Sequence, residues 1–271
     1  MGTAVGTGFA AAVLPIQAQT AIKTDSVGLS AGEVMIVVGD FKLPAYRAMP
    51  AGKTRLPVVL VVSEIFGVHE YVADVARRFA KLGYLAIAPE LFVRQGDAQS
   101  YGEVSKLVAE VVNKVPDAQA MNDLDASVAW AKANGGDVSR LGVTGFCWGG
   151  RITWLYAAHN PIVKAGVAWY GQLQGTPSDL KPTNPIDRVG KLHAPVLGLY
   201  GDADPGIPLA AVAQMKGALA EGSPAAKRSE LVVYPGAPHA FHADYRPSYR
   251  PDAAEDGWRR CTAWFRSHGV A

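Results

Sequence analysis

Three residues of this chain could together make and break an acyl bond: Cys147, Asp204 and His239. A thiol attacks a carbonyl carbon as its thiolate, so it needs a base beside it. An imidazole serves best when a carboxylate fixes its tautomer. Cys147 lies in Gly145-Phe146-Cys147-Trp148-Gly149-Gly150, after the apolar run Leu141-Gly142-Val143-Thr144 and before Ile152, Trp154, Leu155 and Tyr156. That is strand, tight glycine-flanked turn, helix: the G-x-S-x-G nucleophile elbow with cysteine in place of serine. Such a turn strains the backbone at the nucleophile and leaves no room for a Cβ on its flanks, which accounts for the glycines. It also sets the thiol at a helix N-terminus, whose partial positive charge favours thiolate. A cysteine alone would read equally as a buried small hydrophobe.

The partners tip that balance. Val196-Leu197-Gly198-Leu199-Tyr200 is a short apolar strand running into Gly201-Asp202-Ala203-Asp204-Pro205, and Leu231-Val232-Val233-Tyr234 is another running into Pro235-Gly236-Ala237-Pro238-His239. Nucleophile, acid and histidine in that chain order, each just past the end of a strand, is the order of the α/β-hydrolases. Singly, Asp204 would be a turn residue and His239 a surface histidine; with Cys147 they form a set. Asp202 is a second candidate for the orienting acid.

The chain resembles the dienelactone hydrolases (carboxymethylenebutenolidases). Four stretches carry the resemblance: Glu64-Ile65-Phe66-Gly67-Val68, Ala88-Pro89-Glu90-Leu91-Phe92-Val93-Arg94-Gln95-Gly96, the 145–150 elbow, and Pro238-His239-Ala240-Phe241. It extends from about Gly32 to Phe265, and Asp204 fits its spacing better than Asp202. The resemblance implies that Glu64 faces the nucleophile and gates it, in keeping with the rule that a nearby carboxylate disfavours thiolate. Read bare, Glu64 is a surface glutamate at a strand end. Fold and resemblance together assign the oxyanion hole to the backbone N–H groups of Ile65 and Trp148. The resemblance also implies two arginines for a substrate carboxylate. Arg94 matches the first; the second falls at about Ala243, so its arginine is missing. Arg246 or Arg250 could take that place, guanidinium being suited to bidentate carboxylate binding, unless both are solvated surface groups.

Composition narrows the field. The 271 residues suffice for one large α/β domain, and 49% apolar with 18% charged residues excludes a disordered chain. With 26 basic against 24 acidic residues and no basic block, nothing points to nucleic acid or an anionic membrane as partner. If Cys147 is the nucleophile, only Cys261 remains and no structural disulfide is available. Six scattered histidines form no short-spaced ligand cluster, so neither metal nor cofactor is expected.

Residues 1–28 are expected to lie outside the fold, as an export leader or a disordered arm. Ala4 to Ile16 has the length and apolarity of a signal h-region, followed by Gln17-Ala18-Gln19-Thr20, but no basic residue precedes Lys23. The leader reading implies a periplasmic or exported protein; the alternative is cytoplasmic.

Residues 29–271 are expected to form a single domain. Glu33 to Met49 reads as an antiparallel hairpin turning at Gly39-Asp40, with Pro44 suiting an edge strand. Pro57 to Val62 reads as a buried parallel strand, followed by a helix with Val72, Val75, Ala76, Phe79 and Leu82 on one face. Tyr84 to Ala88 and Ala165 to Tyr170 are further strands, Asp117 caps a helix ending near Gly135-Gly136, and Ala253 to Ser267 is a last helix. Strands alternating with helices give a doubly wound, mostly parallel sheet after the N-terminal hairpin, the α/β-hydrolase fold. The function expected is hydrolysis of a small-molecule ester or lactone through an acyl-thioester, by a monomer or small homo-oligomer. A broad carboxylesterase or thioesterase would use the same residues in a looser pocket. A non-catalytic protein of this fold that binds a carboxylated or aromatic ligand is the more distant alternative.

Overall fold

Leu56–Val62 is apolar without a break, and such a run is stable only as a strand covered on both faces. It is β3, wholly buried, and the rest of the sheet is laid out on either side of it. The structure is a computed structural model and describes residues 21–271. In chain order the other strands are β1 (Leu29–Val38), β2 (Phe41–Pro50), β4 (Leu85–Pro89), β5 (Gly136–Phe146), β6 (Val163–Trp169), β7 (Val196–Gly201) and β8 (Glu230–Tyr234). They form one eight-stranded sheet in the order β1-β2-β4-β3-β5-β6-β7-β8. Pairings β1–β2 and β2–β4 are antiparallel; all others are parallel. This is the α/β-hydrolase fold, with the N-terminal antiparallel hairpin at one edge.

Helices α1 (Glu70–Lys81), α2 (Val104–Glu110), α3 (Asp117–Ala133), α4 (Trp148–His159), α5 (Leu209–Glu221) and α6 (Pro251–Ser267) cover the two faces. Side chains of a strand alternate between faces, and β5 shows the consequence. At Gly142 an added Cβ would meet Phe265 of α6 at 2.9 Å; at Gly145 it would meet the Gly149 carbonyl of α4 at 2.2 Å. Phe79 of α1 packs on Trp258 and Phe265 of α6, so those two helices share a face. On the other, Tyr156 of α4 donates to Asp125 of α3 at 2.9 Å. No helix of the described residues is long and apolar enough to cross a membrane.

Several local expectations are corrected. Residues 1–20, the body of the leader-like segment, lie outside the described residues, but residues 24–27 belong with the fold. Arg77 Nε donates to the Thr24 carbonyl at 2.8 Å, and Lys81 Nζ reaches Asp25 at 2.6 Å and the Val27 carbonyl at 2.8 Å. Pro44 is not on an edge strand: β2 lies between β1 and β4. The β2–β4 ladder begins only at Ala45↔Pro89, which spares Pro44 a donor's position there. Leu82 is half exposed, because α1 ends at Lys81 and Leu82 is its C-cap. Asp117 makes no side-chain cap bond; it opens α3 as its first residue, and both its oxygens accept from Arg151 of α4, at 2.7 and 2.9 Å. A buried arginine outweighs a cap as a partner.

Candidate active site

Four strands end at one place. Glu64 follows β3, Cys147 follows β5, Asp204 lies past β7 and His239 past β8. This is the crevice at the carboxyl ends of the strands, beside the point where the winding order reverses at β3.

Cys147 is the N-cap of α4, with φ 56° and ψ −114°, a conformation L-residues rarely adopt. The surroundings hold it there. Its N–H donates to the Trp169 carbonyl at 3.0 Å, and its carbonyl accepts from Gly150 at 2.9 Å and Arg151 at 3.2 Å. A Cβ on Gly149 would stand 2.3 Å from the Val62 carbonyl oxygen, so only glycine lets α4 start so close to β3. Of the non-glycine residues with positive φ among those described, Cys147, Tyr170 (37°) and Ala240 (60°) all border this crevice; Arg55 lies elsewhere. Backbone strain collected at one place marks a site whose geometry the fold over-determines.

His239 Nδ1 lies 2.6 Å from Asp204 Oδ2. A carboxylate only accepts, so Nδ1 carries the proton and Nε2 is the nitrogen left to act. Asp204 is almost fully buried, and its other oxygen accepts the Gly206 N–H at 2.8 Å. Burial pushes the His239 pKa down, but the hydrogen bond to Asp204 and the influence of neighbouring Cys147 and of the Asp204 charge outweigh it, raising the imidazole from 6.5 to about 10. Asp202 is exposed and accepts from the Gly236 N–H at 2.6 Å instead. The structure therefore brings Asp204, not Asp202, to the histidine. Neither the Ile65 nor the Trp148 N–H has a protein acceptor among the described residues, so both are free donors.

Glu64 is completely buried. Oε2 accepts from the Tyr245 hydroxyl at 2.8 Å, while Oε1 has no hydrogen-bond partner among the described residues and lies 3.9 Å from Arg246 Nη1. Arg246 is one-third exposed and its guanidinium lies 5.5 Å from the centre of the Phe66 ring. It belongs to the crevice and not to the open surface, where Arg250 is found.

Comparison with known proteins gives the family. Residues 43–269 match the model of the dienelactone hydrolase family. The chain belongs to that family. A protein of Methylorubrum extorquens assigned as a carboxymethylenebutenolidase is 61% identical over 272 residues, covering 100% of this chain and 92% of its own length. One from Escherichia coli K12, assigned likewise, is 51% identical over 270 residues, covering 99% and 98%. A crystal structure from Klebsiella pneumoniae, of a protein assigned as a dienelactone hydrolase, superposes with a TM-score of 0.84 at 54% identity, covering 88% of this chain and 98% of that one. The chain is thus a hydrolase of the class that acts on esters and lactones.

Of the arginine pair that family resemblance implies, Arg94 is paired within the fold. Its guanidinium is already engaged by Asp123 of α3, at 2.6 and 2.9 Å, and lies 4.1 Å from the centre of the Phe41 ring. Asp123 is completely buried; releasing Arg94 to a substrate would strand that carboxylate, at a cost of about 3–5 kcal/mol. Arg94 ties the loop after β4 to α3. Only Arg246 of the two is placed near Glu64.

Sequence reasoning missed the groups around Glu64. Tyr245 is its hydrogen-bond donor, and burial followed by the Glu64 charge holds the phenol's pKa far above its usual value, so it stays protonated. His69 stands 3.4 Å from the same hydroxyl and packs edge-on against the Tyr245 ring. Burial, then Arg246, lowers its pKa to about 4, so it is neutral. Tyr170 packs against His239 at 5.2 Å between ring centres, and its hydroxyl has no partner among the described residues. The position of Tyr245 beside Arg246 was the only available hint, and it has no spacing signature.

Proposed function

We propose that this protein hydrolyses a small-molecule ester or lactone through an acyl-thioester on Cys147. The observation that carries the reading is the conjunction of a strained N-cap cysteine with His239, whose Nδ1–H is engaged by buried Asp204. His239 Nε2 takes the proton from Sγ, and the thiolate forms a bond to the carbonyl carbon. The Ile65 and Trp148 N–H groups receive the oxyanion. As the tetrahedral species collapses, the C–O bond breaks and the imidazolium returns its proton to the leaving alkoxide. Water then attacks the thioester, giving its proton to His239; the C–S bond breaks and the thiol is restored. Glu64 gates the first step, and Arg246 is the guanidinium available to a substrate carboxylate.

A broader ester specificity is the second reading, favoured by the Arg94–Asp123 pair, which leaves a single arginine at the site. One assay separates the readings: turnover of p-nitrophenyl acetate and of a dienelactone, with Cys147→Ala as the blank. Turnover of both, lost in the variant, supports the namesake substrate. Turnover of the neutral ester alone keeps the mechanism and discards that substrate. Equal turnover by the variant sinks the acyl-thioester and leaves the non-catalytic binding protein as the better reading.

A further inference from the structure

Glu90 lies in the 88–96 stretch that marks the family, yet neither the triad nor the arginines employ it. It is 8% exposed and forms no ion pair with any described residue. A buried carboxyl without a cation is costly unless other groups satisfy it. Here two backbone donors do so: Oε2 accepts the Val68 N–H at 2.6 Å and Oε1 the Phe92 N–H at 3.4 Å. The Val68 carbonyl is held from the other side by Gln99 Nε2 at 3.3 Å.

The carboxyl also fills the space beside Gly67. That residue has φ +72°, and a Cβ built on it would stand 2.6 Å from Glu90 Oε2. Gly67 in turn donates to the Glu64 carbonyl at 3.4 Å, and its own carbonyl accepts from His69 at 3.2 Å. One carboxyl group thus holds the Gly67–Val68 end of the turn 64–68, and that turn carries both the Glu64 side chain and the Ile65 N–H.

We propose that Glu90 is a positioning residue that sets the Ile65 N–H for the oxyanion. It touches no reacting atom; it acts through the Val68 peptide and the Gly67 turn. The inference rests on the acyl-thioester reading above. Burial holds the Glu90 pKa near 7, so the neutral acid is well populated and a neutral carbonyl acceptor can stand in for it.

The test compares Glu90→Leu, which removes the acceptor, with Glu90→Gln, which keeps one. Losing a well-placed oxyanion donor lowers turnover by roughly 10²–10³-fold, and displacing one should cost about 10–100-fold. Glu90→Leu is therefore expected to lower kcat on p-nitrophenyl acetate by about 10–100-fold. KM and the rate of Cys147 alkylation by iodoacetamide should stay within about threefold of wild type, because alkylation develops no oxyanion. Glu90→Gln should recover kcat to within about threefold. Gly67→Ala, which drives a Cβ into the carboxyl, should reproduce the kcat loss. The proposal is overturned if Glu90→Leu turns over at the wild-type rate. It is equally overturned if kcat, alkylation and the urea midpoint fall together in both Glu90 variants, the signature of a purely structural role. Wild-type turnover that survives Cys147→Ala is a separate result: it rejects the acyl-thioester, and this proposal with it.

Discussion

The two halves of the site are held by different means. Cys147, Asp204 and His239 stand on backbone that is packed against backbone, with α4 starting so near β3 that Gly149 has no room for a Cβ. The substrate side, comprising the turn 64–68, Arg94, Tyr245 and Arg246, is held by buried polar side chains: Glu90 under the turn, Asp123 on Arg94, Tyr245 on Glu64. Close backbone contact fixes where these residues stand, and only the Asp204–His239 bond there depends on protonation. Buried carboxyls give a geometry that depends on protonation and on which cation each one has. The first half should therefore fail in turnover when disturbed; the second should fail in stability, pH response or substrate choice, and in turnover only where the turn that carries the Ile65 N–H is moved.

The largest effect belongs to the first half. Asp204→Asn leaves the packing intact but no longer holds the His239 tautomer, and kcat on p-nitrophenyl acetate should fall by about 10³–10⁴-fold. Urea unfolding at neutral pH should change far less than turnover does. A loss of stability without loss of turnover would show that the Asp204–His239 pair is structural.

On the substrate side, Asp123→Ala leaves Arg94 without its carboxylate and should cost about 3–5 kcal/mol by urea denaturation. The kcat and KM of the remaining folded enzyme should hold. If instead Asp123→Ala changes KM for carboxylated esters at unchanged stability, Arg94 is a substrate residue after all, and the contrast between the halves breaks there.

Glu90 gives that contrast its pH dependence. Burial is the main cause of its raised pKa, offset by the Val68 and Phe92 N–H groups and aided by Asp97; it moves from 4.5 unfolded to about 7 folded. A carboxyl raised on folding contributes stability that is full below pH 4.5 and lost as pH rises through 7. Wild type should thus lose of the order of 3 kcal/mol relative to Glu90→Gln between pH 4 and 8. Parallel urea midpoints for the two proteins across that range would show that Glu90 titrates normally.

How much was legible follows the same division. Cys147, Asp204, His239 and Glu64 each end an apolar run at a glycine- or proline-marked turn, and a parallel sheet converts such positions into one crevice. Strand identity needed only the unbroken burial of runs such as Leu56–Val62. The substrate side offered no such rule. Asp123 is 29 residues from Arg94, and its burial in α3 reverses the ordinary expectation for an aspartate. Asp117 looked like a cap because local pattern cannot show Arg151 arriving from α4. Tyr245 matters only because its hydroxyl meets a carboxylate 181 residues away. Side-chain pairs distant in sequence leave no periodicity to read.

The smallest predicted effect bears most directly on substrate. Arg246 is one-third exposed and 3.9 Å from Glu64, too long for a strong bond, so its fork is only partly spent. Arg246→Met keeps an unbranched side chain of similar reach and removes the charge. With a carboxylated lactone, KM should rise by about 10–100-fold, the worth of one charge-assisted hydrogen bond. With p-nitrophenyl acetate it should not move. Equal losses on both substrates would mean that Arg246 serves Glu64 rather than substrate, since an unpaired buried carboxylate would then disturb Cys147 whatever ester is bound. No change on either would remove carboxylate recognition from this side altogether and leave the pocket to neutral esters.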